Sequence, residues 1–159
     1  PMFTARDILD IAIRLENNGE KTYLDASRQT PDHPLKDLLT WIAQEEHEHA
    51  RWFHELKDRL ERGEDHHLMA EMSRALVEDV VKGQAFSLQE VDFETVDTPE
   101  KMIRTFIGFE DDTITFYEIL KTLIDDPSLA DQMQHIIEEE KKHIVRFREL
   151  LTDVQTLNA

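Results

Sequence analysis

Residues 1–65 and 95–159 superimpose without a gap at an offset of 94, and no other feature of this 159-residue chain restricts its fold as strongly. Thr4 pairs with Thr98, Ile13 with Ile107, Glu16 with Glu110, Tyr23 with Tyr117, Asp32 with Asp126, Leu35 with Leu129 and Asp37 with Asp131. Further along, Ile42 pairs with Ile136, Glu45 with Glu139, Glu46 with Glu140, His49 with His143, Phe53 with Phe147 and Leu56 with Leu150. A supersecondary unit that cannot bury its apolar face alone buries it against a copy of itself. The expectation is an all-α fold in which two copies of a helix hairpin pack about a pseudo-twofold axis.

Helical spacing of apolar residues sets the elements. A first helix runs to about Arg28, capped by Thr4 with Asp7 three residues on; its inward stripe is Ile8, Leu9, Ala12, Ile13, Glu16, Gly19, Tyr23 and Leu24. Pro31, His33 and Pro34 break the chain, and the shortness of the turn makes helices one and two antiparallel neighbours. Helix two carries Leu35, Leu38, Leu39, Ile42, Phe53, Leu56 and Leu60 on one face and is expected to stop near Gly63. The segment 64–97 is a crossover. Leu68, Met72, Leu76 and Val80 allow one short amphipathic helix in it, followed by an irregular connection from Gly83 to Asp97. Its length frees helix three from being antiparallel to helix two. Thr98-Pro99-Glu100 is a strong helix start, and helix three presents Met102, Ile103, Phe106, Ile107, Glu110, Thr113, Ile114, Tyr117, Leu120 and Ile124 inward. After the turn at Asp125 to Ser128, helix four runs to about Leu157 on the stripe Leu129, Met133, Ile136, Glu140, His143, Phe147 and Leu150. The whole is one domain, with hairpins at 4–63 and 98–157.

The stripes are interrupted by ionisable residues in matching places. Glu46 and His49 stand where Leu or Ile belongs, Glu140 and His143 repeat the same Glu-x-x-His, and Glu16 and Glu110 each precede the helix-two-type Glu by thirty residues. A hairpin brings residues so spaced to one height, so four carboxylates and two imidazoles meet at one level of the core. Uncompensated carboxylates in an apolar interior are costly. Two divalent cations would balance all four, and hard oxygen donors with one imidazole per metal suit iron or manganese. Glu16, Glu46 and His49 are assigned to one half-site and Glu110, Glu140 and His143 to the other, with Glu46 and Glu140 as bridges. Tyr23 and Tyr117 could donate to ligand carboxylates or be ordinary core tyrosines. Whether Glu20 or Asp112 joins the cluster is open. His33, His47, His54, His66, His67 and His135 are expected at the surface.

Composition narrows the function classes. The net charge of -17 argues against nucleic-acid binding, which needs clustered Lys and Arg. The chain has no cysteine, which excludes disulfides and thiolate-held iron and suits a cytoplasmic location. No apolar run is long enough to span a membrane.

One Glu from each of two helices with Glu-x-x-His from each of the other two is the signature of ferritin-like di-iron and di-manganese proteins. With Glu16 and Tyr23 seven apart, Glu110 and Tyr117 seven apart and the motif duplicated, residues 4–157 resemble the rubrerythrin-type branch of that superfamily. The resemblance implies a ferritin-like four-helix bundle that binds two irons between its hairpins, reacts with hydrogen peroxide or dioxygen, and commonly forms a homodimer. Two departures stand out. Rubrerythrins proper carry a four-cysteine rubredoxin domain, absent here, so the resemblance implies an external electron-donor protein. They also place a further Glu one turn beyond the helix-three ligand, where this chain has Thr113. The resulting six-ligand set is like that of bacterioferritin and brings ferroxidase or oxidase chemistry closer. Iron storage and a non-catalytic metal-binding bundle are the alternatives. The tail after helix four is too short for a fifth, cage-forming helix, which weighs against a storage shell.

Overall fold

The computed structural model describes residues 2–3, 5–62, 72–73 and 91–157. Four long helices dominate the described residues: α1 (Ala5–Gln29), α2 (His33–Glu61), α3 (Pro99–Thr122) and α4 (Pro127–Leu157). At 1.5 Å per residue they are roughly 35–45 Å long. Two short strands, β1 (Met2–Phe3) and β2 (Met72–Ser73), pair antiparallel, Met2 opposite Ser73 and Phe3 opposite Met72.

Helix starts follow local chemistry, and the two hairpin turns share it. Asp32 accepts from the Leu35 amide at 2.9 Å to cap α2, and Asp126, its counterpart in the repeat, accepts from the Ser128 and Leu129 amides at 2.9 and 3.1 Å to begin α4. Each turn also carries a proline in the first turn of the helix that follows, where a missing N–H is harmless. Thr98 caps α3 by accepting from the Lys101 amide at 3.2 Å. The expected cap Thr4 lies outside the described residues, as does Gly63; α2 ends at Glu61 with Arg62 as its cap.

The core falls into two apolar clusters separated by the ionisable level. One holds Ile8 to Leu15 of α1, Phe53 and Leu56 of α2, Phe116 to Leu120 of α3 with Ile124 just past its end, and Leu129 to Ile137 of α4. The other holds Tyr23 and Ala26, Leu35 to Ala43, Met102 to Phe109, and Phe147 with Val154. Each helix thus begins in one cluster and ends in the other, which fixes the directions. α1 and α4 point one way, α2 and α3 the other, so α3 runs parallel to α2 as the long crossover permits. α1 faces α3 and α2 faces α4, each pair antiparallel, closing a ferritin-like four-helix bundle.

Two sequence expectations need correction. Met72 is extended and paired with Phe3, because Met2 and Phe3 offer it backbone partners, so the short helix expected across 68–80 does not hold at that residue; 68–71 and 74–80 lie outside the described residues. On α3, Ile107 and Ile114 are half-buried, whereas Phe109 and Phe116 are buried. A helix that packs on two neighbours buries a wider arc than one stripe.

Candidate metal centre

Glu16, Glu46, His49, Glu110, Glu140 and His143 meet between the two apolar clusters, all of them buried. Their ligand atoms form two overlapping groups, Glu16, Glu46, His49 and Glu140 in one and Glu46, Glu110, Glu140 and His143 in the other, the atoms of each group within 4.8 Å of one another. Glu46 and Glu140 belong to both. Neither group contains Glu20 or Asp112. His49 Nδ1 lies 2.7 Å from Glu140 Oε1 and 3.5 Å from Glu16 Oε1; His143 Nδ1 lies 3.4 to 3.6 Å from Glu46, Glu110 and Glu140. Among the described residues, the buried side-chain nitrogens and oxygens that lack a hydrogen-bond partner all belong to these six: Glu16 Oε2, Glu46 Oε1, Glu110 Oε2, both oxygens of Glu140, and the Nδ1 atoms of His49 and His143. Buried polar atoms are rarely left so, since each costs about 1–3 kcal/mol. That seven such atoms gather at one level of the core fits hard cations and nothing apolar.

Their remaining atoms are held by the opposite hairpin. Tyr117 donates to Glu16 Oε1 and Tyr23 donates to Glu110 Oε1, both at 2.6 Å. His143 Nε2 contacts Glu45 Oε1 at 2.7 Å, and His49 Nε2 contacts Glu139 Oε2 at 3.4 Å. A proton on Nε2 satisfies each outer glutamate and leaves the Nδ1 lone pair turned to the centre, the arrangement a metal-ligating histidine requires. Glu45 and Glu139 were not singled out by sequence reasoning, although the repeat pairs them; an acid beside Glu46 in one copy and beside Glu140 in the other was the available signal.

The charges at this level control one another. Burial raises Glu16, Glu46 and Glu110 above the ordinary carboxylate value, and the neighbouring Glu140 charge raises each further. Burial pushes Glu140 the same way, but the neighbouring Glu110 carboxyl and the nearby His143 outweigh it and hold Glu140 well below. Burial alone would lower both histidines. The carboxylates of Glu16 beside His49 and Glu110 beside His143 instead raise them well above their usual value. The tyrosine hydroxyls are pushed well up, by burial first and then by Glu110 or Glu16, so they stay donors. A cluster that holds protons in this way exchanges them for a metal ion when one binds.

A sequence model of the rubrerythrin family matches residues 7–151. The chain belongs to the rubrerythrin family. Its matched span includes all six inward ionisable residues and both tyrosines. This rubrerythrin is similar to a solved Thermotoga maritima structure described as a ferritin-like diiron-carboxylate protein, at 25% identity over 96% of this chain and 97% of that one, with a TM-score of 0.74. It also shares its fold with a hypothetical protein from Pyrococcus furiosus, at 17% identity, 98% and 92% coverage and a TM-score of 0.71. No curated protein matches it. Family and buried Glu/His cluster together make this a metal-binding rubrerythrin whose donors fit iron.

Two neighbouring positions complete the description. Thr113 is buried, but its hydroxyl donates to the Phe109 carbonyl of its own helix at 2.9 Å. Glu20 pairs with the exposed ring of His47 at 3.1 Å. No helix among the described residues is long and apolar enough to cross a membrane.

Proposed function

We propose that this rubrerythrin holds two iron ions between its hairpins and reduces hydrogen peroxide or dioxygen with electrons from a separate donor protein. The observation that carries the reading is the convergence of seven unpartnered buried atoms from six residues. Glu16 and His49 would hold one ion, Glu110 and His143 the other, and Glu46 with Glu140 would span both; manganese suits the same donors at either position. The iron pair, when bound, supplies two electrons and an open coordination position for the oxidant.

The rest of the work belongs to the chain. Tyr117 and Tyr23 fix the carboxylates of Glu16 and Glu110, Glu45 and Glu139 fix the imidazoles, and the two apolar clusters exclude bulk water from either side. Reducing peroxide to two waters consumes two electrons and two protons, and the ligand carboxylates, which give up their own protons when a metal binds, are not the source of either. The electrons must arrive from outside these residues, because the chain has no cysteine to hold a thiolate-bound iron. A ferroxidase or oxidase role is favoured by a specific observation: Thr113 turns its hydroxyl back on its own helix, leaving a symmetric set of six.

The test is metal analysis followed by anaerobic Fe(II) titration and rapid mixing with peroxide or dioxygen in parallel. Saturation at two equivalents and fast oxidation by peroxide support the peroxide-reducing role, and faster oxidation by dioxygen supports the ferroxidase or oxidase role. Binding without oxidation by either leaves a non-catalytic metal bundle and refutes both.

A further inference from the structure

The two halves agree at the inner residues and differ around them. A groove of about 500 Å³ between α2 and α4 leads to His49, with Trp52, Asp131, His135 and Glu139 among the residues that line it. Trp52 Nε1 donates to Gln132 Oε1 at 2.6 Å, tying the two helices at its wall. A file of contacts then leads inward: exposed His135 to Glu139 at 3.0 Å, Glu139 to His49 at 3.4 Å. His49, only 4% exposed, closes the inner end and carries its unpartnered Nδ1 on the far side.

At the offset of 94 the same places on the other side are filled differently. His135 corresponds to Trp41, Trp52 to Arg146 and Glu48 to Lys142. Trp41 sets its ring edge-on against His143 with centroids 5.6 Å apart, and the His143 side chain is wholly buried. The groove at His49 is rimmed by Glu48, Asp131 and Glu139, with Arg51 offsetting Glu48 at 3.4 Å. A cleft lined by one sign of charge concentrates ions of the other. On the His143 side Asp37 and Glu45 keep two of those acids, Lys142 replaces the third, and Arg146, in the place of Trp52, pairs with Glu149 at 3.7 Å.

Resting on the metal reading above, we propose that divalent cations reach the centre through the groove at His49, passed inward by His135 and Glu139, and that Trp41 closes the equivalent route at His143. The pseudo-symmetric centre therefore loads from one face.

The experiment follows uptake of cobalt(II) by the metal-free protein through its visible absorption, and its release to a chelator. Three variants exchange the two outer residues: His135→Trp, Trp41→His, and both together. Positions 135 and 41 face solvent, and circular dichroism checks that each variant folds. His135→Trp is expected to slow uptake and release by about tenfold or more while the final stoichiometry stays at two; Trp41→His alone keeps or raises the rate, and the double exchange restores most of it. Asp131→Asn, which keeps the groove open, is expected to slow uptake about twofold at low salt and not at high salt. Unchanged rates in His135→Trp, or a double exchange as slow as that single variant, overturn the route while leaving the metal site intact. Failure of the wild type to bind cobalt at equilibrium removes the site itself, and the route with it.

Discussion

Gly19 is where one absent side chain serves the centre. A Cβ at this position would stand 3.0 Å from Glu46 Oε2, so the carboxylate would have to give way. Glycine inside a helix costs about 1 kcal/mol relative to alanine. Gly19→Ala is therefore expected to raise the unfolding free energy of the metal-free protein by about 0.5–1 kcal/mol in urea titration and to weaken cobalt binding in calorimetry. Stabilisation without loss of affinity would show that Glu46 needs no such clearance. Glu45 acts from outside the cluster. Its exchange for Gln leaves the charge of the six inner residues unchanged but removes the strong acceptor for His143, and loss of such a partner costs about 10–100-fold in metal affinity. The six inner residues were legible because carboxylates in an apolar stripe stand out. The partners of the tyrosines were not: seven residues along one helix is about 10 Å, too far for Tyr23 to reach Glu16, and only the antiparallel α3 brings Glu110 to its height.

At the scale of elements, capping chemistry made the sequence informative. Asp32, Thr98 and Asp126 each precede a proline-containing first turn, and all three accept the amide bonds such positions call for. Thr98→Ala is expected to lower stability by about 1 kcal/mol with metal stoichiometry unchanged, because the cap is far along α3 from Glu110; thermal melts and metal analysis read the two effects separately. The crossover was less legible for a physical reason. Leu68, Met72, Leu76 and Val80 stand at helical spacing, yet Met72 takes its conformation from a distant backbone partner that no local pattern announces. Val91, Phe93 and Val96 do find cover, packing against the cluster that holds Tyr23 and Phe106.

For the whole molecule, proton and metal compete for one level of the bundle. Three carboxylates, Glu16, Glu46 and Glu110, lie above their ordinary 4.5 and two histidines above their ordinary 6.5, so the folded metal-free protein binds these protons more tightly than the unfolded chain does. Their stabilisation is complete below those ordinary values and is lost as pH rises through the raised ones; Glu140, held low, works in the opposite sense. The melting temperature of the metal-free protein is expected to fall from about pH 5 to about pH 8. With excess cobalt(II) it should rise over the same range, because the metal takes the deprotonated form. Parallel slopes with and without metal would separate the metal from these groups.

The exchange of partners between hairpins has a consequence for assembly. Since Tyr23 serves Glu110, Tyr117 serves Glu16, and each imidazole leans on a glutamate from the other half, neither half owns a finished centre. What a centre demands is one leading hairpin and one trailing hairpin, with no stipulation that a single polypeptide furnish both. Two molecules that traded their trailing hairpins would rebuild two intact centres from the same inventory, so interchange between subunits is a route to dimers that this architecture leaves chemically neutral.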